Sequence, residues 1–347
     1  MKLVDLIYNK YKIISVVGMS KNAGKTVTLN YLIEKFDEIG VVIGITSTGR
    51  DGEKLDLVTK TEKPTIFVLE NTIIATAKET LLKSSAKLEI LEITKSRTSL
   101  GEVVIARVRR SGYVEIAGAE TNTQLKLIAN KMIEYGAELV ILDGAIDRKT
   151  AAAPEISEAA ILATGAALNR DMNNVIDETL FQVELYSLKS IKKDTLNFEL
   201  GDVFKNKQFI IVDYGGKSER ISIKTALNSG RIIGAKIKEG TKYVVLSGSI
   251  VYKTFEDIIS VAENYREVIY IIQDATKIFL SSREWKMLKR KGIDIRVVNG
   301  INLLAVTLNP YSPYGYNFDA NDFLFALKEK MPTVLAIDVV EGEREDD

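Results

Sequence analysis

The chain has 347 residues, enough for about two domains that each bury a core, which excludes a small disulfide-held scaffold. Hydrophobic residues make up 46% and charged residues 27%, the balance of a globular chain rather than a disordered one. Lys+Arg and Asp+Glu are equal at 47 each, so no net charge draws the chain to nucleic acid or a membrane surface, and neither is expected as a partner.

IISVVG at 13–18 reads as a buried strand, followed by a loop with Gly and Ser and a helix over 26–36 whose apolar spacing is Val27, Leu29, Tyr31, Leu32 and Phe36. VVIGIT at 41–46, TIFVL at 65–69, LEILEI at 88–93 and VVIARV at 103–108 read as further strands, the longest apolar ones being candidates for a buried parallel sheet. A helix over 123–135 leads to a strand at 139–142. After Asp143 come a small-residue loop, a short helix near 155–160, a strand at 161–164 and a helix over about 175–188. The polar, irregular stretch at 190–208 sets the expected boundary near 190–205. Beyond it the alternation restarts, with strands at 209–213, 243–247 and 268–272, helices at 255–265 and 279–290, and strands near Ile295, Leu304 and Leu335. The expected domains are 1–190 and 205–340, followed by an acidic tail, EGEREDD, at 341–347. The N-terminus MKLVDLIYNKYK lacks the apolar core of a signal peptide and no long apolar run follows, so a cytoplasmic location is expected.

Between the first strand and the first helix stands Gly18-Met19-Ser20-Lys21-Asn22-Ala23-Gly24-Lys25-Thr26. Phosphate recognition requires such a loop, because several backbone N–H groups and a helix N-terminus converge there and glycine allows close approach. Ser20, Lys21, Asn22, Ala23, Gly24, Lys25, Thr26 and Val27 are the candidate nucleotide contacts. Lys25 is expected to face solvent until it reaches the β and γ oxygens, and Thr26 to offer its hydroxyl to Mg²⁺. Five residues separate Gly18 from Gly24 where the strict pattern has four, and Met19 occupies the strict first-glycine position. An ordinary strand-to-helix turn is the competing reading. With the strand and helix alternation, the loop predicts an α/β fold in which a P-loop NTPase with a doubly wound, mostly parallel sheet precedes a second α/β domain.

The chain contains no His and no Cys, which removes Ser-His-Asp and Cys-His catalysis and thiolate metal sites. Its chemistry is left to carboxylates, Lys, Arg, hydroxyls, backbone amides and an oxygen-ligated Mg²⁺. Asp143 ends the run ELVILD, where a strand would deliver a metal-holding carboxylate beside the loop; a turn-capping Asp is the alternative. Arg148 follows in the same loop and could neutralise charge on a transferring phosphoryl group. Asp51, in the polar stretch GITSTGRDGEKLD at 44–56, is a candidate metal or water ligand, as are Glu53 and Asp56 more weakly. ILATGAAL at 161–168 could pack a base or simply a helix. DYGGKSER at 213–220 lacks the first glycine of a second phosphate loop. The basic helix around Trp285 reads as a solvated face, and NPYSPYGYNF at 309–318 as a packed aromatic loop.

The loop's spacing resembles that of the dethiobiotin synthetase and cobyrinic acid amide synthase superfamily. GMSKNAGKT at 18–26, TSTGRDGE at 46–53, LDGAIDRKTAAAP at 142–154 and ILATGAAL at 161–168 together resemble the KamB subunits of lysine 5,6-aminomutase reactivases. That resemblance implies an ATP-dependent reactivating factor for an adenosylcobalamin-dependent lysine 5,6-aminomutase, acting with a MutS-like partner subunit. It carries nucleotide roles onto Gly24, Lys25 and Thr26, and metal roles onto Asp51 and Asp143. No guanine-specific NKxD motif accompanies the loop, and the residues allow ATP or GTP. The main alternative is an ATP-dependent carboxylate ligase of the dethiobiotin synthetase type without a glutaminase, and a third is a nucleotide-binding module with little turnover.

Overall fold

The computed structural model describes residues 2–48, 65–144, 149–192, 196, 200–221 and 229–340. They fall into two compact units, Met1–Leu180 with Asn302–Asp347, and Phe181–Ile301. Among the described residues no helix is long and apolar enough to cross a membrane.

The first unit opens with α1 (Leu3–Ile7), β1 (Ile13–Gly18), α2 (Lys25–Glu38) and β2 (Ile43–Ser47). There follow β3 (Ile66–Val68), β4 (Ile73–Ala77), α3 (Lys78–Leu81), β5 (Lys87–Thr98), β6 (Gly101–Arg110) and β7 (Gly112–Val114), then α4 (Asn122–Glu134), β8 (Leu139–Gly144), β9 (Ala159–Gly165) and α5 (Met172–Tyr186). The second unit contains α6 (Leu200–Lys205), β10 (Phe209–Asp213), β11 (Ser218–Ile221), α7 (Ser229–Gly234), β12 (Thr241–Leu246), β13 (Ile250–Val251) and α8 (Tyr252–Val261), then β14 (Ile269–Ile272), β15 (Ile278–Phe279), α9 (Ser282–Arg290) and β16 (Asp294–Val297). The chain returns to the first unit for β17 (Leu303–Asn309), α10 (Ala320–Lys330) and β18 (Leu335–Asp338).

The protein is thus an α/β chain with one large, mostly parallel sheet of nine strands and a smaller mixed sheet. The large sheet runs β18-β17-β9-β1-β8-β2-β4-β6-β5 and is parallel from β18 to β4. Its central strands β9, β1, β8 and β2 are buried along almost their whole length because both faces are covered. On one face α2 buries Leu29, Leu32, Ile33 and Phe36 in a cluster with Ile14, Val16, Ile45 and Ile141. On the other, α4 buries Leu125, Ile128, Ala129 and Met132 against Ile13, Val140 and Leu142. Each buried Leu, Ile, Phe or Met among them is worth about 1.5–3 kcal/mol over exposure, so the two helices hold the sheet's middle from opposite sides.

Three expectations change. LEILEI and VVIARV form the antiparallel pair β5 and β6 rather than parallel strands, and β5, at the sheet edge, leaves Ile90 and Ile93 exposed. Glu92 ties that edge to α4: it accepts from Lys131 and from Tyr135 Oη, and the Lys131 ammonium holds its carboxyl below the usual range. TIFVL pairs with β7 in a separate two-stranded sheet. The helix expected near 155–160 gives way to β9, which begins at Ala159.

The domain limits also change. Leu303–Asn309 pairs with β9, and Leu335–Asp338 pairs with that strand in turn, so the segment assigned to a 205–340 domain completes the first sheet. The second unit is an insertion ending at Ile301 and beginning inside α5, not at 205. Its sheet runs β11-β10-β12-β14-β16, with β10 antiparallel to both neighbours and β12, β14 and β16 parallel. Its core joins Leu200 and Val203 of α6 to Ile210, Val212, Tyr243, Val245 and Ile271. DYGGKSER is the hairpin of β10 and β11, with the Lys217 amide donating to Asp213 Oδ1, and the chain runs from Lys217 into a strand where a phosphate loop requires a helix.

These limits can be tested by ending the chain at Ile301. A 205–340 domain would lose its own fold and spare the first. The observed topology predicts instead that amides of β1, β8 and β9 lose hydrogen-exchange protection, because β9 loses its β17 neighbour.

Candidate functional site

At the C-terminal ends of the central strands, β1 passes through the loop at 18–26 into α2. Gly24 caps the helix with φ +97° and offers no side-chain hydrogen bond, and the first turn of α2 holds no acidic residue. The first amides of a helix need a partner, and the helix dipole favours a negative one there. Around them Ser20 is half-buried, Lys21 and Asn22 are exposed, Ala23 is buried, and Thr26 and Val27 are half-buried in the first turn. Ser20 Oγ donates to the Lys21 carbonyl.

Asp143 reaches this loop because β8 is the parallel neighbour of β1, with Val16 opposite Asp143. The Lys25 ammonium lies 2.8 Å from Asp143 Oδ1 and donates to the Gly144 carbonyl at 2.7 Å. Lys25 therefore does not face solvent as expected: its side chain is 19% exposed, as is that of Asp143. A cation at the helix start and a carboxylate at the end of the adjacent strand are thus brought together by the sheet register and the turn at Gly24. On the other side of β8, Ser47 is opposite Asp143, and the Thr48 amide donates to the Asp143 carbonyl at 3.1 Å. Ser47 Oγ bridges the Ile116 carbonyl and the Gly118 amide.

Asn309, which ends β17, was not among the expected site residues. A Cβ on Gly24 would lie 2.6 Å from the Asn309 Cβ, so the two pack with no room for a side chain. Asn309 accepts the Ala166 amide on its carbonyl and the Tyr311 amide on Oδ1. Tyr316 donates to the Ala166 carbonyl at 2.7 Å, and the Arg170 guanidinium sits 5.4 Å from the Tyr316 ring centroid. The turn after β9, where a base was a possible occupant, is thereby held by the aromatic loop after β17. A strand ending in Asn was the available signal, but it has meaning only once β17 is known to join this sheet.

Asp51 and Arg148, with Glu53 and Asp56, lie outside the described residues. Among the described residues no group of three or more carboxylates gathers. Among the described residues, the expected magnesium donors are the Thr26 hydroxyl and Asp143, both hard oxygen ligands of the kind Mg²⁺ takes. No family model, no curated protein and no solved structure matches the chain.

Gly24→Ala should destabilise the first unit. The left-handed conformation costs about 1–2 kcal/mol for a residue with a Cβ, and the contact with Asn309 adds to it. Pairing it with Asn309→Gly should recover the contact part and leave the conformational part, which urea unfolding of the two variants would separate.

Proposed function

We propose that the chain is a nucleotide-driven reactivating factor: a P-loop NTPase module, in the first unit, that binds ATP or GTP with Mg²⁺ and serves an adenosylcobalamin-dependent lysine 5,6-aminomutase together with a MutS-like partner subunit. One observation carries the nucleotide half. The Lys25 ammonium, at the first residue of a helix with no side-chain cap, is 2.8 Å from the carboxylate ending the adjacent strand. An ordinary strand-to-helix turn needs neither. The client half rests on the resemblance of the four segments to KamB subunits.

In this reading the amides from Ser20 to Val27 cradle the phosphates and Lys25 leaves Asp143 to contact the β and γ oxygens. Thr26 and Asp143 hold Mg²⁺, which neutralises charge on the phosphate oxygens when bound. Asp51 is assigned as a further metal or water ligand and Arg148 as a neutraliser of developing charge. With no His or Cys, no acid–base step is available to a neutral imidazole or a thiolate, so the residues' work is positioning and charge compensation. The second unit offers a surface for client or partner.

Lys25→Ala should fold and yet lose at least tenfold in nucleotide affinity, about 1.5–3 kcal/mol for a charge-assisted contact. Calorimetry giving wild-type affinity in the folded variant would remove the phosphate-loop reading.

The client reading has its own test. The protein, the partner subunit and MgATP together should restore turnover to a lysine aminomutase carrying damaged cobalamin, and Lys25→Ala should not. A ligase would instead be stimulated by a small carboxylic acid alone, since its acceptor completes the in-line geometry. Recovery that is equal without nucleotide, or turnover driven only by a small acid, rejects the reactivase.

A further inference from the structure

The second unit is inserted between two segments of the first, and both end against the phosphate loop. On the incoming side, α5 carries Thr179, which is fully buried. Its hydroxyl lies 2.7 Å from the Val175 carbonyl, 2.8 Å from Thr164 Oγ1 on β9, and 3.4 Å from the sulfur of Met19. Met19 in turn donates its amide to the Ala163 carbonyl, extending the β1–β9 ladder into the loop. On the outgoing side, Thr307 of β17 shares a 2.7 Å hydrogen bond with Thr28 of α2, and Asn309 packs on Gly24.

The division between the units falls within α5, between Leu180 and Phe181. Two residues beyond Thr179, Phe181 stands 6.4 Å from the ring of Trp285, and further along the helix Glu184 pairs with Lys289, both partners being on α9. Trp285 is buried and is the sole tryptophan of the chain.

We infer that Met19 and Thr179 are positioning residues through which occupation of the phosphate loop is felt along α5 at Trp285. This rests on the nucleotide reading above. A loop closing on phosphate moves the backbone that bears Met19. In a close-packed interior such a shift is passed to whatever the side chain touches rather than absorbed in empty space. A helix is stiff along its axis, so a displacement at Thr179 reaches Phe181. The coupling is reciprocal, as any equilibrium linkage must be.

The test follows Trp285 emission, excited where tyrosine does not absorb, while magnesium and a non-hydrolysable ATP analogue are titrated, with binding measured separately by calorimetry. In the wild type the emission should change and saturate at the calorimetric midpoint. Thr179→Val keeps the side chain's volume and removes its hydroxyl. It should bind the analogue within about threefold of wild type yet lose at least half of the emission change per bound nucleotide. Met19→Ala, compared at equal occupancy, should do the same, and it serves if Thr179→Val does not fold. Binding with flat emission in the wild type overturns the coupling and leaves the nucleotide site standing, as does a wild-type emission change in both variants. Calorimetry showing no binding at all overturns both.

Discussion

The site depends on a single absence: Gly24 has no side chain. Its backbone is left-handed, and the space a Cβ would fill is taken by Asn309. The same residue therefore permits the turn into α2 and the packing of the last strands against the loop. A residue with a Cβ here would strain the helix start and push β17 from the loop together. The uncapped first amides of α2 and the position of Lys25 follow from that start.

The second constraint is register. Lys25 meets Asp143 because β1 and β8 are parallel neighbours whose ends align, with Val16 opposite Asp143 and Gly18 leading into the loop. Parallel strands set such alignments over many residues, since every slanted hydrogen bond along the pair enforces the same offset. A one-residue slip would turn the carboxylate to the other face of the sheet. The ion pair is therefore a consequence of an apolar core built far from it, around Ile14, Val16, Ile141 and the α2 side chains.

Local pattern made the central elements legible. Each of β1, α2, α4, β8 and β9 has a mostly apolar run or a helical stripe, because each is covered by neighbours on the faces that the pattern marks. What was hidden depends on pairing at a distance. VVIARV is as apolar as a parallel strand, yet it follows β5 through a tight turn at Gly101, whose φ of +98° suits a hairpin, and so runs antiparallel. The segment near Leu304 and Leu335 shows its strand character plainly, but nothing local says which of two sheets it joins. The polar stretch at 190–208 reads as a linker, whereas the division falls earlier, in the middle of a regular helix where composition does not change. Asn309 was missed for the same reason as the domain limits: its importance comes from the strand's return.

Met19 raises the question of how a loop can depart from the strict glycine pattern and keep its turn. Glycine is needed where φ is positive or where backbone must come close. In this loop the left-handed positions are Asn22, at +63°, and Gly24, at +97°; Met19 is at neither, and its backbone continues the ladder to β9. Asn tolerates the left-handed region better than most residues, so position 22 needs no glycine. The added residue between Gly18 and Gly24 is thus taken up inside the turn. The chain gains at position 19 a long, flexible side chain where the strict pattern has none. Its thioether can follow an irregular surface and pack where a branched side chain would clash. It reaches Thr179 on α5, giving the loop a contact that a glycine at the same position could not make.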